Sequence, residues 1–277
     1  NDNYPTDDTR AGHGNGEAHG AAAEGNNGIG DLGMCPECTV MLVRAGDHFI
    51  TEVNDWGGAV SFSVDSGVDI VQSAMRSINN TSFSREAIEY AYQNDVLVVA
   101  SAADELSFHH NFPSTNNHTL YVHAIVHDSP NRSRATTFLN FNNCTNFGGQ
   151  LALSAPGGGC SSEATEVTAG HAGLVYSYAL QQEISPPLSA EEARSILVMS
   201  ADDINVPESL EDHPDYDGTK FPSGEGWDWH FGYGRNNART SLELIRDDRI
   251  PPEVDIVSPL WFETAYVSAE TTTLDIV

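Results

Sequence analysis

The sequence predicts an α/β fold of three layers, in which a parallel β-sheet lies between helices on both of its faces. Short apolar runs rich in valine and isoleucine alternate along the chain with longer stretches at helical spacing. A strand buried on both faces is apolar throughout, and strands that alternate with helices are typical of a parallel sheet. With 277 residues, of which 39% are hydrophobic, the chain can bury one large core.

Each predicted element has a local signal. Ser66-Gly67 indicates the end of a helix, and the β-branched run 68–73 after it predicts a strand. Residues 95–100 contain four large apolar residues in succession and predict a buried strand. Helices are predicted at residues 85–93, 163–181 and 189–199, the last of which opens on the capping-box sequence Ser189-Ala190-Glu191-Glu192.

The composition changes after Arg246. Residues 1–246 are expected to form one domain, and the Asp- and Pro-rich residues 247–253 are typical of a linker. Residues 254–277 contain short β-branched and aromatic runs, which predict the first strands of a truncated β domain. Such strands cannot close a sheet alone, so we expect this segment to be poorly anchored.

The chain is strongly acidic, with 40 acidic residues, 12 basic residues and a formal net charge of −28. Such a charge repels phosphate backbones and anionic membranes, so nucleic acid and such membranes are excluded as partners. A surface adapted to salt is the plainer interpretation, and attraction to basic substrates is the other. No apolar run approaches membrane-spanning length. We expect a monomer.

Ser162 is the main candidate for a catalytic residue. It lies in the sequence Cys160-Ser161-Ser162-Glu163-Ala164-Thr165-Glu166-Val167-Thr168-Ala169-Gly170, where a small-residue turn leads into helical spacing. The open N–H groups and the dipole of a helix N-terminus favour negative charge, which develops on an oxygen during acyl transfer. Ser162 is therefore a candidate nucleophile, although for this segment alone a simple helix cap is the plainer interpretation.

This segment resembles the nucleophile motif of the subtilisin-like serine peptidases, Gly-Thr-Ser-x-Ala-Thr/Ser-Pro-His-Val-Ala-Gly. Ser162 falls on the nucleophile, while Cys160-Ser161 replace Gly-Thr and Glu166-Val167 replace Pro-His. Further segments are similar to the family's motifs in the family's order, at residues 11–20, 25–36, 66–73, 95–105, 144–157 and 231–238. The resemblance covers about residues 1–246 and implies the family's fold and a serine endopeptidase that acts on polypeptides.

The resemblance also implies the general base. Ala11-Gly12-His13-Gly14-Asn15-Gly16-Glu17-Ala18-His19-Gly20 is similar to the family's Gly-His-Gly-Thr-His motif, in which the first histidine begins a small-residue helix. His13 takes that place, because a neutral imidazole accepts the serine proton and later returns it to the leaving amine. The match needs one inserted residue, so His19, which also precedes an alanine-rich run, is a rival for the role.

Two positions depart from the family's active site. Asp104 stands where the family has the asparagine that donates to the oxyanion; a carboxylate cannot donate, whereas a protonated carboxyl can. Ala74-Met75-Arg76 replace Ser-Leu-Gly beside the substrate cleft. The sequence therefore predicts an altered cleft and a slower enzyme, unless Asp104 is neutral or another donor substitutes. Asp104 as a cap of the following loop is the plainer alternative.

The aspartate of the family's catalytic triad has no counterpart upstream of His13. Asp65-Ser66-Gly67 copies its tripeptide but follows His13, at a predicted helix–strand turn. Asp2, Asp7 and Asp8 lie in the acidic loop before His13, where solvation or cation contact is the simpler role. We therefore expect a fragment that lacks the N-terminal part with this aspartate and has weak or no activity itself.

A calcium site is implied by the segment matched to the family's calcium loop. Gly25, Asn27, Ile29 and Asp31 would supply mainly carbonyl oxygens and the Asn27 amide oxygen, which are ligands of the hard type that calcium prefers. An ordinary Asn-Gly turn is the alternative. No organic cofactor is expected.

The four cysteines suit a secreted or cell-surface protein with two disulfides, for which three pairings are possible. We favour Cys144 with Cys160, because both flank one loop before Ser162, and Cys35 with Cys38 as a tight loop.

Two classes of function follow from the sequence: a serine endopeptidase, and a weak or inactive relative that binds peptides or protein partners through the substrate cleft. Retention of both Ser162 and His13 favours the enzyme.

Overall fold

The computed structural model describes residues 12–46, 52–108, 111–126, 140–141, 144–205 and 223–256 of the chain. These ranges contain five strands, β1 (Ile70–Ser73), β2 (Leu97–Ser101), β3 (Thr119–Val126), β4 (Asn140–Phe141) and β5 (Leu153–Pro156). They also contain the helices α1 (His13–Ala22), α2 (Val53–Asp65), α3 (Ser82–Gln93), α4 (Cys160–Gln181), α5 (Ala190–Met199) and α6 (Ala238–Arg246).

The five strands form one sheet that is mainly parallel. β1 pairs with β2 and β2 with β3, all in parallel, with Val71 opposite Val98 and Val99 opposite Leu120. β5 is parallel to β3, whereas the two-residue β4 is antiparallel to it. Among the described strands β1 has only β2 as a neighbour, so its other edge is unpaired there. The helix α3 links β1 to β2, which is the kind of crossover connection that neighbouring parallel strands need.

The predicted three-layer arrangement is confirmed. Every residue of β2 is buried, and alternate side chains enter different cores. Val98 packs with apolar residues of α2 and α3 on one face, whereas Leu97 and Val99 pack with those of α4, α5 and α6 on the other. This alternation follows from the two-residue repeat of a strand. Because both faces are covered, β2 is apolar from Leu97 to Ala100 and has one polar residue, the buried Ser101, at its end.

The helix signals are also confirmed, with shifted starts. Ser189 caps α5, and its Oγ accepts from the Glu192 amide at 3.1 Å while Glu192 accepts from the Ser189 amide at 2.9 Å. The helix predicted from residue 85 begins at Ser82, because Thr81 caps it. Residues 40–43 form an apolar run, Val40-Met41-Leu42-Val43, but they are not in a strand here; a strand needs a hydrogen-bonded neighbour, and none of the described strands pairs with them.

Close packing between α1 and α4 depends on glycine. A Cβ atom at Gly170 of α4 would lie 2.6 Å from the Ala21 carbonyl oxygen of α1 and 2.6 Å from Met34 Cβ. One turn further along α4, a Cβ at Gly173 would meet Cys38 Sγ at 2.7 Å. The two helices are therefore nearer than any side chain would allow.

The segment after α6 packs against the domain as far as it is described. Tyr92 donates a hydrogen bond to Glu253 at 2.8 Å, and His118 stacks on Tyr92 with ring centroids 3.6 Å apart. His118 Nε2 lies 3.2 Å from Asp255. The predicted linker thus has defined contacts, and most of the predicted β segment, residues 257–277, lies outside the described residues. Within the described ranges no helix is long and apolar enough to cross a membrane.

We expect Gly170→Ala to lower the free energy of unfolding by about 1–3 kcal/mol, the typical cost of overpacking a filled interface. Gly58→Ala is the matched control, because a Cβ at Gly58 in α2 would meet nothing within 4 Å. That change should be neutral or stabilise by about 1 kcal/mol through helix propensity. Urea unfolding of the two variants measures both values. Equal stability of the variants would contradict the close packing of α1 on α4.

Candidate active site

Ser162 lies in the first turn of α4, directly after the carboxyl end of β5. The turn between them consists of three glycines, and a Cβ at Gly157 would lie 2.9 Å from both the Cys160 carbonyl oxygen and the Ala164 amide nitrogen. Cys160 has φ 70°, which non-glycine residues rarely adopt, and is disulfide-bonded to Cys144. The half-buried Ser162 therefore lies in the first turn of a helix whose entry is fixed by covalent and steric constraints.

His13 contacts Ser162 from the first turn of α1. His13 Nε2 lies 3.3 Å from Ser162 Oγ, within hydrogen-bond reach, although 149 positions separate the two residues. Gly12 makes the sharp entry to α1 with φ 105°. The rival His19 lies two turns further along and is exposed, with its ring against Gly30. The geometry thus brings Ser162 together with His13, and not with His19.

Asp104 supports the start of α4. Its Oδ1 accepts hydrogen bonds from the Ser161 amide at 3.0 Å and from Ser161 Oγ at 2.5 Å. The carboxylate therefore satisfies one of the open amides at the helix N-terminus, where negative charge is also favoured by the helix dipole. This contact caps α4, and not the loop after β2 that the sequence suggested as the plainer alternative.

Sequence reasoning missed a group of carboxylates around the histidine. Glu17 Oε1 lies 3.5 Å from His13 Nε2, and Glu17 is largely buried. Burial, followed by the charges of Glu166, Glu163 and Asp104, raises the pKa of Glu17 to about 8. Burial and the charge of Glu163 likewise raise the pKa of Glu166 to about 8. The available signal was the four-residue spacing of Glu17 from His13, which places both side chains on one helix face.

An ion pair links the loops that follow β1 and β2. Arg76 pairs with Glu105, and the side chains of both are about one-third exposed. Asn146 holds the same loop, because its Oδ1 accepts from the Glu105 amide at 3.0 Å and its Nδ2 donates to Glu105 Oε2 at 2.5 Å. Asp104 precedes Glu105 in the chain, so the Arg76–Glu105 ion pair lies beside the carboxylate that accepts the hydrogen bonds of Ser161. Ligands of parallel sheets bind outside the carboxyl ends of the strands, where these loops meet.

The other predicted site residues are less involved. Asp65 accepts a hydrogen bond from Tyr90 at 2.7 Å, at the end of α2, which agrees with a structural role. Asp2, Asp7 and Asp8 lie outside the described residues. In the predicted calcium loop, Asn27 Oδ1 accepts from the Ile29 amide at 2.9 Å. Among the described residues, no three His, Cys, Asp or Glu side chains form a metal-binding group.

Both expected cysteine pairs are disulfides, and each is next to a functional element. Cys144–Cys160 joins the loop before β5 to the first residue of α4. Cys35–Cys38 closes a short loop that packs on Gly173 of α4. Cys144–Cys160 therefore restrains the start of α4 covalently, whereas Cys35–Cys38 packs against the middle of the helix without a bond to it.

These observations define a class of protein: an α/β fold with a serine–histidine pair at the N-terminus of a helix that follows a parallel strand. The chain belongs to the Subtilase family, whose family model matches residues 1–234. The solved structure of the prenylagaramide maturation protease PagA is similar in fold, with a TM-score of 0.64 at 18% identity, over 86% of this chain and 84% of that one.

Two curated relatives are similar in sequence. The thermophilic serine proteinase of Bacillus sp. (strain AK1) is 26% identical over 231 residues, which cover 83% of this chain and 52% of the relative. Thermitase of Thermoactinomyces vulgaris is 25% identical over 159 residues, which cover 56% of this chain and 53% of the relative. The chain thus spans about half of the length of these relatives.

Proposed function

We propose that this chain carries the catalytic serine and histidine of a secreted serine endopeptidase that hydrolyses polypeptides. The observation that carries the proposal is the 3.3 Å contact between His13 Nε2 and Ser162 Oγ at the N-terminus of α4. Membership of the Subtilase family supports the reaction class. Two disulfides support an oxidising, extracellular location.

In the proposed mechanism, Ser162 Oγ attacks the carbonyl carbon of the peptide bond while His13 Nε2 takes the hydroxyl proton. The imidazolium then gives this proton to the leaving amine, and an acyl-enzyme on Ser162 remains. Water repeats the sequence, with His13 again as base, and releases the acid product. The Ser161 amide donates to Asp104, so the other amides in the first turn of α4, which have no partner within the helix, are left to face the developing negative charge.

The orienting aspartate is proposed to come from a strand upstream of Asn1. An apolar groove of about 680 Å³ lies between β1 and residues 39–46. Val40, Met41 and Leu42 in the latter segment are each at least 40% exposed, although all are apolar. A further strand in this groove would pair with the open edge of β1 and cover these side chains.

The experiment that tests the proposal is labelling with a fluorophosphonate probe, which reacts with activated serines. We expect the chain extended upstream of Asn1 to be labelled, and both Ser162→Ala and His13→Ala to abolish labelling. His19→Ala is the matched control and should retain it, because its side chain lies against Gly30. Residues 1–277 alone should react much more slowly. A folded, extended protein that binds peptides but is never labelled would instead favour a binding protein of the same fold.

Asp104→Asn should accelerate labelling. The Asn oxygen can keep the contacts to Ser161, while the new NH₂ group can donate to the oxyanion where a carboxylate cannot. A hydrogen bond to a charged group contributes about 1.5–3 kcal/mol, so we expect an increase of about tenfold or more in the rate. Asp104→Ala is the control: both changes remove a charge that helps to raise the pKa of Glu17, but alanine supplies no donor, so Asp104→Ala should be labelled more slowly than Asp104→Asn and should cost about 1 kcal/mol of stability through the lost cap. Equal rates for Asp104→Asn and Asp104→Ala would rule out an oxyanion position for this side chain.

We also propose that residues 25–31 hold a calcium ion. The carbonyl oxygens of Gly25 and Ile29, the amide oxygen of Asn27 and the carboxylate of Asp31 form a donor set of the hard type that calcium prefers. The Asn27 oxygen accepts one amide and retains a second lone pair for a cation. A bound ion would link the donors within residues 25–31 and so hold the loop after α1 in one conformation.

Calcium should therefore raise the unfolding temperature of the chain relative to EDTA, and Asn27→Ala should remove most of this difference. Calorimetry of calcium binding provides the second measurement. Asn117→Ala, a change of the same type in an exposed residue outside the loop, should leave the calcium effect intact. The site is wrong if calcium stabilises the parent and Asn27→Ala equally.

A further inference from the structure

Glu17 and Ser162 approach the same nitrogen of His13. Ser162 Oγ lies 3.3 Å from Nε2, and Glu17 Oε1 lies 3.5 Å from it. A neutral imidazole with its proton on Nδ1 has a single lone pair on Nε2, so it accepts one hydrogen bond there. A carboxylate cannot donate such a bond, whereas a protonated carboxyl group can. The protonation state of Glu17 therefore determines whether Ser162 has a competitor.

The surroundings of Glu17 keep its carboxyl group near this nitrogen. It lies on the His13 face of α1 at the i+4 position, and its Oε2 accepts from Gln72 Nε2 of β1 at 3.4 Å. The side chain is only 13% exposed. Among the described residues, the charged and titratable groups that face it come from three elements: His13 from α1, Glu163 and Glu166 from α4, and Asp104 from the loop after β2.

We propose that Glu17 is a positioning residue that switches His13 between two hydrogen-bond partners. While Glu17 carries a proton, it donates to Nε2 and competes with Ser162. Once it is ionised, Nε2 is left to accept the Ser162 proton, and the adjacent carboxylate stabilises the imidazolium that results. This inference rests on the proposed function, since it concerns the proton transfer from Ser162 to His13.

The pKa of Glu17 sets the pH at which the switch occurs. Burial and the facing carboxylates raise this pKa to about 8, so roughly one-tenth of Glu17 is ionised at pH 7. Labelling of Ser162 should consequently rise with pH through this range. Loss of the carboxyl group has opposite effects at the two ends, because it removes the competitor at low pH and the stabilising charge at high pH.

The test measures fluorophosphonate labelling of the chain extended upstream of Asn1 between pH 6 and pH 10. Glu17→Ala should be labelled faster than the parent at pH 7, by up to about tenfold, and more slowly at pH 9, so that the two profiles cross. Glu17→Gln keeps the shape and a donor but cannot ionise, so it should be slow throughout, without the rise near pH 8. Glu17→Asp should restore a rise. Glu166→Gln should only shift the parent's rise to lower pH, because it removes one facing charge.

Parallel profiles for the parent and Glu17→Ala would overturn the proposal, as would a rise near pH 8 in Glu17→Gln. Thermal unfolding of each variant shows whether slower labelling comes from a loss of folded protein or from a lower rate of reaction in the folded protein. A carbon NMR titration of Glu17 in Ser162→Ala, repeated with His13→Ala added, gives a readout independent of the reaction. If the titration of Glu17 changes when His13 is removed, the switch is supported even in a protein that is never labelled. The absence of labelling would then overturn only the proposal that the protein is an enzyme. Uncoupled titration would overturn the role of Glu17.

Discussion

The candidate site depends on the contact between α1 and α4. His13 and Ser162 occupy the first turns of different helices, so the relative position of the helices determines their distance. Gly170 allows backbone of one helix to approach the other where any side chain would collide. Residues 33–35 hold the end of α1 through backbone hydrogen bonds, such as Cys35 N to Ala21 O at 2.8 Å. A hydrogen bond between two loops would be less rigid than one between two packed helices.

The position of α4 itself comes from the sheet. Its buried face packs on β2, β3 and β5, and α5 and α6 cover its sides. Buried polar groups fix this layer as well: His171 of α4 contacts Ser241 of α6 at 2.8 Å, and His123 of β3 contacts Ser154 of β5 at 2.6 Å. A buried polar group must find its partner, so these pairs select one register where apolar packing alone would tolerate several.

Local signals in the sequence predicted α3, α4 and α5 and the strands β1 and β2, whereas β3, β5 and α6 were not predicted, and Ser162 and His13 were assigned through the resemblance to the subtilisin-like peptidases. The capping box at Ser189 and the apolar run of β2 are determined by neighbours in sequence, and Ser162 lies in a contiguous motif. Glu17 and the Arg76–Glu105 pair were not found, because their importance depends on contacts between elements far apart in the chain. The same limit explains residues 40–43: β-branched composition favours a strand, but a strand exists only where a partner edge is paired to it.

The buried histidines of the core and the carboxylates of the site make the stability of the fold depend on pH in opposite directions. Burial lowers the pKa of His123 to about 3 and that of His171 to about 4, so the stability that these neutral side chains allow is lost as pH falls below about 6.5. Burial and facing carboxylates raise the pKa of Glu17 and Glu166, so the folded state retains protons that the unfolded chain releases above about pH 4.5, and stability falls as pH rises toward 8. The fold is therefore favoured in weak acid, whereas the site is favoured in weak base. Since an apolar residue at position 17 would relieve part of this conflict, the Glu17 carboxyl group is more easily explained by its contact with His13 than by folding.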